Sequence, residues 1–298
     1  MPTVQRYPNG ASMFIPSPTR PTAPLDVPKR SKITGWSANA SARHRKWLQS
    51  VDGSKLDGFG YAVTLTVRDD PPSAEAFHAD RRAWEKRVKR MGCIRSHWVV
   101  EWQKRGTPHL HMAVYFDHEL TAAERRAMVF GWCEIAQEFG AQPQSQTFEV
   151  ISDSRGWAKY CAKHSARTAS HYQRNGSGPA HWESTGRLWG HSGEWPTSVD
   201  GFGVDWDGFH QLRRLARSWR VANAKAEKDP QKRSERVQQA RHMLRRGKRS
   251  SAVWGANEWI PGEVLDRMLD WLASEGYRVE SVAEDLPNVD QGVGGGLE

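Results

Sequence analysis

Two histidines, His109 and His111, stand one residue apart in the apolar run HLHMAVYF. Side chains two residues apart in a β-strand share a face, so both imidazoles are expected to emerge side by side. Glu101 lies in a preceding run that alternates in the same way, and a hairpin centred near Arg105 would bring it roughly opposite His111. Two imidazoles and one carboxylate on one sheet face predict a divalent-cation site with open positions, whereas paired histidines alone are also compatible with ordinary polar surface.

A second group lies in the helical run GWAKYCAKHSAR, where Tyr160, Lys163, His164 and Arg167 follow one another at helical spacing. The small side chains of this run are expected to form its buried face; they are Ala158, Cys161, Ala162 and Ser165. A tyrosine ringed by cations is either a surface residue with its hydroxyl in solvent or a nucleophile whose phenolate is favoured by the charges nearby. The spacing alone leaves both interpretations open.

Cysteine offers a rival chemistry, because Cys161 and His164 have the C-x-x-H spacing of a zinc site that Cys133 could complete. Cys161 is expected on the buried face of the helix and His164 on the other side. The sequence therefore favours a free, buried thiol over zinc.

The elements that must position these groups follow from hydrophobic periodicity. Strands are predicted at 61–67, 94–102, 109–116 and 146–151, and helices at 73–91, 121–139 and 153–167. The order β-α-β-β-α-β-α predicts an α+β fold with a central antiparallel sheet. Helices would cover one face of this sheet and leave the histidine face free.

Composition divides the chain into three parts. Seven of the sixteen prolines fall in the first 32 residues, so 1–57 is predicted to be a mostly disordered, basic arm. Residues 58–200 form the predicted α+β domain. Residues 201–298 are predicted to be a helical appendage with a basic block, expected to contact DNA phosphates, followed by an acidic block.

The overall balance is basic, with 43 Lys and Arg against 34 Asp and Glu and a net charge of +9, which points to a polyanion as partner. The low count of three cysteines predicts a protein of a reducing, intracellular compartment. The sequence contains no apolar run long enough to span a bilayer and no signal-peptide pattern, which predicts a soluble protein without a membrane partner. Fifteen tryptophans either fill the core or stack on unpaired bases, and Trp182, Trp189 and Trp195 in predicted loops leave that choice open.

Three short motifs in this order resemble the HUH endonuclease superfamily, specifically single-tyrosine rolling-circle replication initiators of plasmids and phages. They are Thr-Leu-Thr at 64–66, His-Leu-His at 109–111 and Tyr-Cys-Ala-Lys at 160–163, and the resemblance covers about 59–195. The stretch GRLWGHSG at 186–193 is also similar to one found in several such initiators, and no chemical role is assigned to it.

The resemblance implies that His109, His111 and Glu101 hold Mg²⁺ or Mn²⁺, which polarises the scissile phosphate of origin DNA. Tyr160 would attack phosphorus and leave a 5′-phosphotyrosine link and a free 3′-hydroxyl for a host polymerase. Lys163 would stabilise either the phenolate or the phosphate oxygens. The same chemistry in reverse would rejoin strands.

The resemblance is to the single-tyrosine type, because the residues four positions on either side of Tyr160 are Gly156 and His164. Tyr172 lies outside that spacing and is expected to be structural. A second protomer, and hence a homodimer, is expected to make the second cut. No phosphate-binding G-x-x-x-x-G-K-[ST] loop occurs, so a host helicase in the bacterial cytoplasm would unwind the DNA.

Two other functions stay open at this point. A single-tyrosine transposase or a mobilisation relaxase would share the metal site and the tyrosine. A non-catalytic DNA-binding regulator would share the fold, although retention of Tyr160, His109, His111 and Glu101 argues against it.

Overall fold

The computed structural model describes residues 1–15, 31–165, 167, 169–176, 178–243, 256–258 and 260–282. These residues form two compact units. One comprises 1–15, 49–51 and the described part of 197–282, and the other comprises 31–48 and 52–196. The elements in chain order are β1 (Thr3–Tyr7), β2 (Gly10–Phe14), α1 (Ala38–Ser50), β3 (Phe59–Thr66), α2 (Ala74–Arg90), β4 (Cys93–Trp102), β5 (Pro108–Phe116), α3 (Ala122–Ile135), β6 (Thr147–Ile151), α4 (Ser154–Ser165), β7 (Trp189–Ser192), β8 (Asp200–Val204), α5 (Trp206–Lys225), α6 (Pro230–Met243), β9 (Ala256–Glu258), α7 (Gly262–Ser274) and β10 (Val279–Val282). Two short 3₁₀ helices follow α3.

The second unit is built on an antiparallel sheet with the strand order β6-β3-β5-β4-β7. From β3 to α4 its elements follow the predicted order β-α-β-β-α-β-α, so the predicted α+β class is confirmed. Local signals in the sequence fix the helix starts: Ser73 caps α2, and Thr121 with Glu124 forms a reciprocal capping box on α3.

One face of this sheet carries the main apolar core. Alternate residues of β3 such as Val63 and Leu65 point into it, and α2 contributes Phe77, Trp84 and Val88 at helical spacing. Trp182, a candidate for base stacking, is buried in this core and donates its indole N–H to the Pro71 carbonyl. Its ring therefore serves packing.

The opposite face differs from the sequence-based expectation of a free surface. Trp47 of α1 stacks on His97 of β4 with ring centroids 4.7 Å apart, and Tyr160 of α4 contacts the same imidazole. The reason lies in the residues between the histidines, since Val99 of β4 and Ala113 of β5 share this face and are fully buried. Apolar groups on both faces require cover on both faces.

The N-terminal segment also differs from the predicted disordered arm, because β1, β2 and α1 all lie within 1–57. The proline-rich stretch 16–30 lies outside the described residues. The first unit contains a second antiparallel sheet in the order β10-β8-β1-β2-β9, so the region after 201 contributes strands as well as helices. Its core joins Val4 and Met13 to Phe209 of α5 and Leu265 of α7. Parts of the predicted basic and acidic blocks lie outside the described residues.

No helix within the described ranges is long and apolar enough to cross a membrane.

Candidate functional site

Glu101, His109 and His111 come together on the sheet face covered by α4. One ligand atom from each lies within 4.8 Å of those of the other two. The register differs by two residues from the prediction, because Glu101 lies opposite His109 and Val99 lies opposite His111. Since Glu101 and His109 are equally far from Arg105 at the centre of the hairpin, this is the register that a hairpin centred there requires.

The cluster is buried rather than exposed, and burial fixes the charge state of its members. Burial and the nearby Lys163 ammonium lower the pKa of His109 to about 4, and burial lowers the pKa of His111 well below its usual value. Both imidazoles are therefore neutral near pH 7, the form that binds metal ions. The Thr64 hydroxyl lies 3.0 Å from His111 Nδ1, which leaves Nε2 for a ligand.

This set of donor atoms fits a divalent cation. His111 Nε2 is buried without a hydrogen-bond partner and lies 3.5 Å from Glu101 Oε2. Burying an imidazole nitrogen without a partner costs free energy, and a divalent cation held by His111 Nε2 and the Glu101 carboxylate would satisfy it.

Two arginines balance the charge of the Glu101 carboxylate. Arg174 Nε donates to Oε1 at 2.8 Å, and the Arg167 guanidinium forms an ion pair with Oε2. Arg174 is 1% exposed and also donates to the backbone carbonyls of Arg167 and His164. Glu101 is thus held in place before any cation binds, and Arg174 links it to the backbone at His164 and Arg167.

Helix α4 presents a different face to the sheet from the one predicted. Tyr160 and His164 are buried along with Cys161, and only Lys163 of the predicted polar stripe is exposed. The predicted burial of Cys161 is confirmed. Aromatic contacts explain the orientation, because Trp157 stacks on Tyr160 with ring centroids 5.5 Å apart and the rings of this helix need cover.

The Tyr160 hydroxyl lies 2.9 Å from His97 Nδ1. Its ring is linked to the cluster of Glu101, His109 and His111 through His164, whose ring centroid lies 4.6 Å from that of Tyr160 and 5.0 Å from that of His111. Burial raises the pKa of the Tyr160 phenol well above its usual value. The structure therefore places the predicted nucleophile on the same sheet face as the predicted ligands, with its oxygen at His97.

Sequence reasoning missed three members of this site. His97 carried a usable signal, since it alternates onto the same face of β4 as Glu101. His164 was recognised in the helical stripe but was predicted to be exposed. Arg174 comes from a segment without strand or helix, and no periodicity marked it.

The remaining candidates from the sequence are Tyr172, the stretch 186–193 and the cysteines. Tyr172 is 59% exposed, and its ring packs against that of His171. The stretch 186–193 contains β7, the edge strand that pairs with β4, and Gly190 lies against the Trp98 ring where a Cβ would approach within 2.9 Å. Among the described residues, the group of potential metal ligands contains no cysteine.

The family of replication-associated proteins ORF2/G2P matches residues 60–168. Replication-associated protein G2P of Pseudomonas phage Pf3 is 39% identical over 272 residues, which cover 90% of this chain and 94% of the relative.

Two putative replication proteins of Xylella fastidiosa are also similar. The one from strain 9a5c is 41% identical over 264 residues, or 85% of this chain and 90% of its own. The one from strain Temecula1 is 42% identical over 241 residues, or 77% and 89%. No solved structure matches the chain significantly.

Proposed function

Because the chain belongs to the family of replication-associated ORF2/G2P proteins, we propose that it initiates replication by cutting one DNA strand and keeping its 5′ end. The observation that carries this proposal is the convergence of Glu101, His109 and His111 on the sheet face against which Tyr160 is packed. A buried two-histidine, one-carboxylate set supplies a cation site, and the neighbouring helix supplies an oxygen nucleophile.

The reaction that these groups support is a transesterification. When bound at Glu101, His109 and His111, Mg²⁺ or Mn²⁺ supplies positive charge that polarises the scissile phosphate. The Tyr160 oxygen attacks phosphorus, the new bond joins that oxygen to the 5′ phosphate, and the bond from phosphorus to the 3′ oxygen breaks. The tyrosine proton goes to solvent and the leaving 3′ oxygen takes up a proton. One phosphate ester replaces another, so the reverse attack by a 3′-hydroxyl rejoins the strand.

Lys163 supplies a further charge at this site. Its side chain is exposed, and its ammonium is close enough to lower the pKa values of His109 and His111. A cation in that position stabilises the negative charge that develops on phosphate oxygens in the transition state.

A groove of about 610 Å³ lies at the end of the β4–β5 hairpin. Thr66 lines it and lies opposite His109 in the sheet, while Arg68, Lys104 and Arg105 give it positive charge. Cations along a groove that begins beside the ligands suit the phosphates of a single strand. The groove therefore suits the substrate strand next to the cleavage point.

One nucleophile per chain has a consequence for the end of a replication round. Gly156 and His164 occupy the positions four residues from Tyr160, so neither supplies a second tyrosine. A second protomer would then make the releasing cut, while host enzymes would unwind and copy the DNA. Circle release that rises with protein concentration on a two-site substrate supports this route, and release at one protomer per DNA contradicts it.

The test of the proposed function is cleavage of single-stranded oligonucleotides that tile the replicon encoding the chain, with Mn²⁺ or with a chelator. His111→Ala is expected to abolish cleavage, because it removes a ligand and leaves the sheet backbone intact. His118→Ala is the matched control, since His118 is exposed and pairs with Asp117 and Glu124 instead. Cleavage that persists in chelator and in His111→Ala would contradict the proposal.

A further inference from the structure

A continuous chain of side-chain contacts links Arg174 to the oxygen of Tyr160. Arg174 Nη2 lies 3.4 Å from His44 Nδ1, His44 Nε2 lies 2.9 Å from His97 Nε2, and His97 Nδ1 lies 2.9 Å from the Tyr160 hydroxyl. The two imidazoles are nearly parallel, with ring centroids 5.1 Å apart. We call these four residues the relay; none of them is more than 7% exposed.

The direction of every hydrogen bond in the relay follows from its first member. A guanidinium has only donors, so His44 Nδ1 must accept from Arg174. A neutral imidazole that accepts at Nδ1 carries its proton on Nε2, and His44 therefore donates to His97 Nε2. His97 then carries its own proton on Nδ1 and donates it to the Tyr160 oxygen.

This assignment requires both imidazoles to be neutral, and their surroundings make them so. Burial lowers the pKa values of His44 and His97 well below the usual range, and the positive charge of Arg174 acts in the same direction on both. Arg174 offers only donors, and it uses the others on Glu101 and on the backbone carbonyls of Arg167 and His164. It also packs its guanidinium on the Trp36 ring, 4.0 Å from the ring centroid.

We propose that this relay stabilises the Tyr160 phenolate, with His97 as a catalytic hydrogen-bond donor and with His44 and Arg174 as positioning residues. The proposal rests on the proposed function, since it concerns the same nucleophile. The proton that Tyr160 loses goes to solvent water, not to His97, because His97 Nδ1 already carries a proton. The same donor stabilises the phenolate when it leaves phosphorus during rejoining.

The relay also opposes the effect of burial on the nucleophile. A buried phenol resists ionisation, and the charge of Arg174 lowers the pKa of Tyr160 against that trend. Arg174 reaches Glu101 Oε1 as well, so one side chain positions both the metal-binding carboxylate and the donor chain to the nucleophile. Arg174 thus fixes the position of Glu101 relative to the donor chain that ends at Tyr160.

Two substitutions of His97 separate this donor role from that of a general base. In His97→Asn the side-chain amide reaches the position of Nδ1 and can donate to Tyr160, whereas in His97→Gln it reaches the position of Nε2 and keeps only the contact with His44. We expect single-turnover formation of the covalent adduct, and rejoining, to fall about 10²-fold in His97→Gln, the loss typical of one oxyanion donor. His97→Asn should stay within about 10-fold of wild type in both directions, with the KM for DNA unchanged.

A general base predicts a different pattern, because an amide accepts no proton and both variants would then be equally slow. Equal loss in both variants, or wild-type rates in His97→Gln, overturns the proposal. A second pair tests the positioning role. His44→Gln retains a donor toward His97, so its rates of adduct formation and rejoining should exceed those of His44→Leu. Equal rates in these two variants overturn the positioning role of His44. If the wild-type protein itself forms no adduct, the proposed function fails instead.

Discussion

Replacing Glu101 with glutamine should destabilise the protein even without metal. Glu101 is fully buried and its carboxylate faces two guanidiniums, those of Arg174 and Arg167. A glutamine amide has nearly the same shape but carries no charge, so it leaves the buried Arg174 without a counter-charge. Removing one partner of a buried ion pair costs about 3–5 kcal/mol.

For the unit that comprises 31–48 and 52–196, this loss of unfolding free energy corresponds to a fall in melting temperature of roughly 6–20 °C. Wild-type protein in Mn²⁺ at about 100 times the dissociation constant should gain about 2.7 kcal/mol, and Glu101→Gln should gain almost none because a ligand is missing. Thermal unfolding followed by tryptophan fluorescence measures both effects, since Trp36 packs on Arg174 beside the site.

Glu119→Gln is the matched control, because Glu119 is exposed and the same charge is removed. It should melt like wild type and respond to Mn²⁺ like wild type. A melting temperature of Glu101→Gln that equals the control would refute the argument that Glu101 balances two buried arginines. An unchanged response to Mn²⁺ would refute its role as a ligand.

Three further outcomes are expected. Lys163→Ala should slow single-turnover cleavage by about 10²-fold without stopping it, because a cation stabilises charge but the attacking oxygen remains; complete loss would contradict this role. Lys104→Ala should weaken binding of a single strand and reduce the slope of log affinity against log salt by about 0.7 in anisotropy titrations, whereas Lys89→Ala on α2 should not. Stability should fall as pH drops from about 6.5 toward 4, because burial lowers the pKa of His78 to about 4, as it does that of His109, and the unfolded chain then binds more protons than the folded one; His78→Gln should make that fall less steep in thermal melts.

The fold around the site was predictable from local signals. Alternation in β3, β4 and β5, together with the caps at Ser73 and Thr121, indicated the order of the elements. Strand alternation and helix caps depend on residues close together in sequence, so they can be predicted from a single sequence. The convergence of Glu101 with the two histidines followed from the same alternation.

The cover over that site was not predictable in the same way. Tyr160 and His164 were expected to face solvent, because polar residues at helical spacing usually do. They are buried because α4 packs on a sheet face whose apolar residues, such as Val99, need cover from distant parts of the chain. Arg174 illustrates the limit, since its contacts with Glu101 and His44 join residues far apart in sequence.

Peptide mapping of the covalent adduct shows most directly whether Tyr160 carries the DNA after cleavage. Wild-type protein is incubated with a cleavable single strand and Mn²⁺, digested, and analysed by mass spectrometry for the nucleotide-bearing peptide. We predict a 5′ phosphate on Tyr160 and no adduct in Tyr160→Phe, which still binds DNA. Cleavage without an adduct, or an adduct on another residue such as the exposed Tyr172, would contradict it.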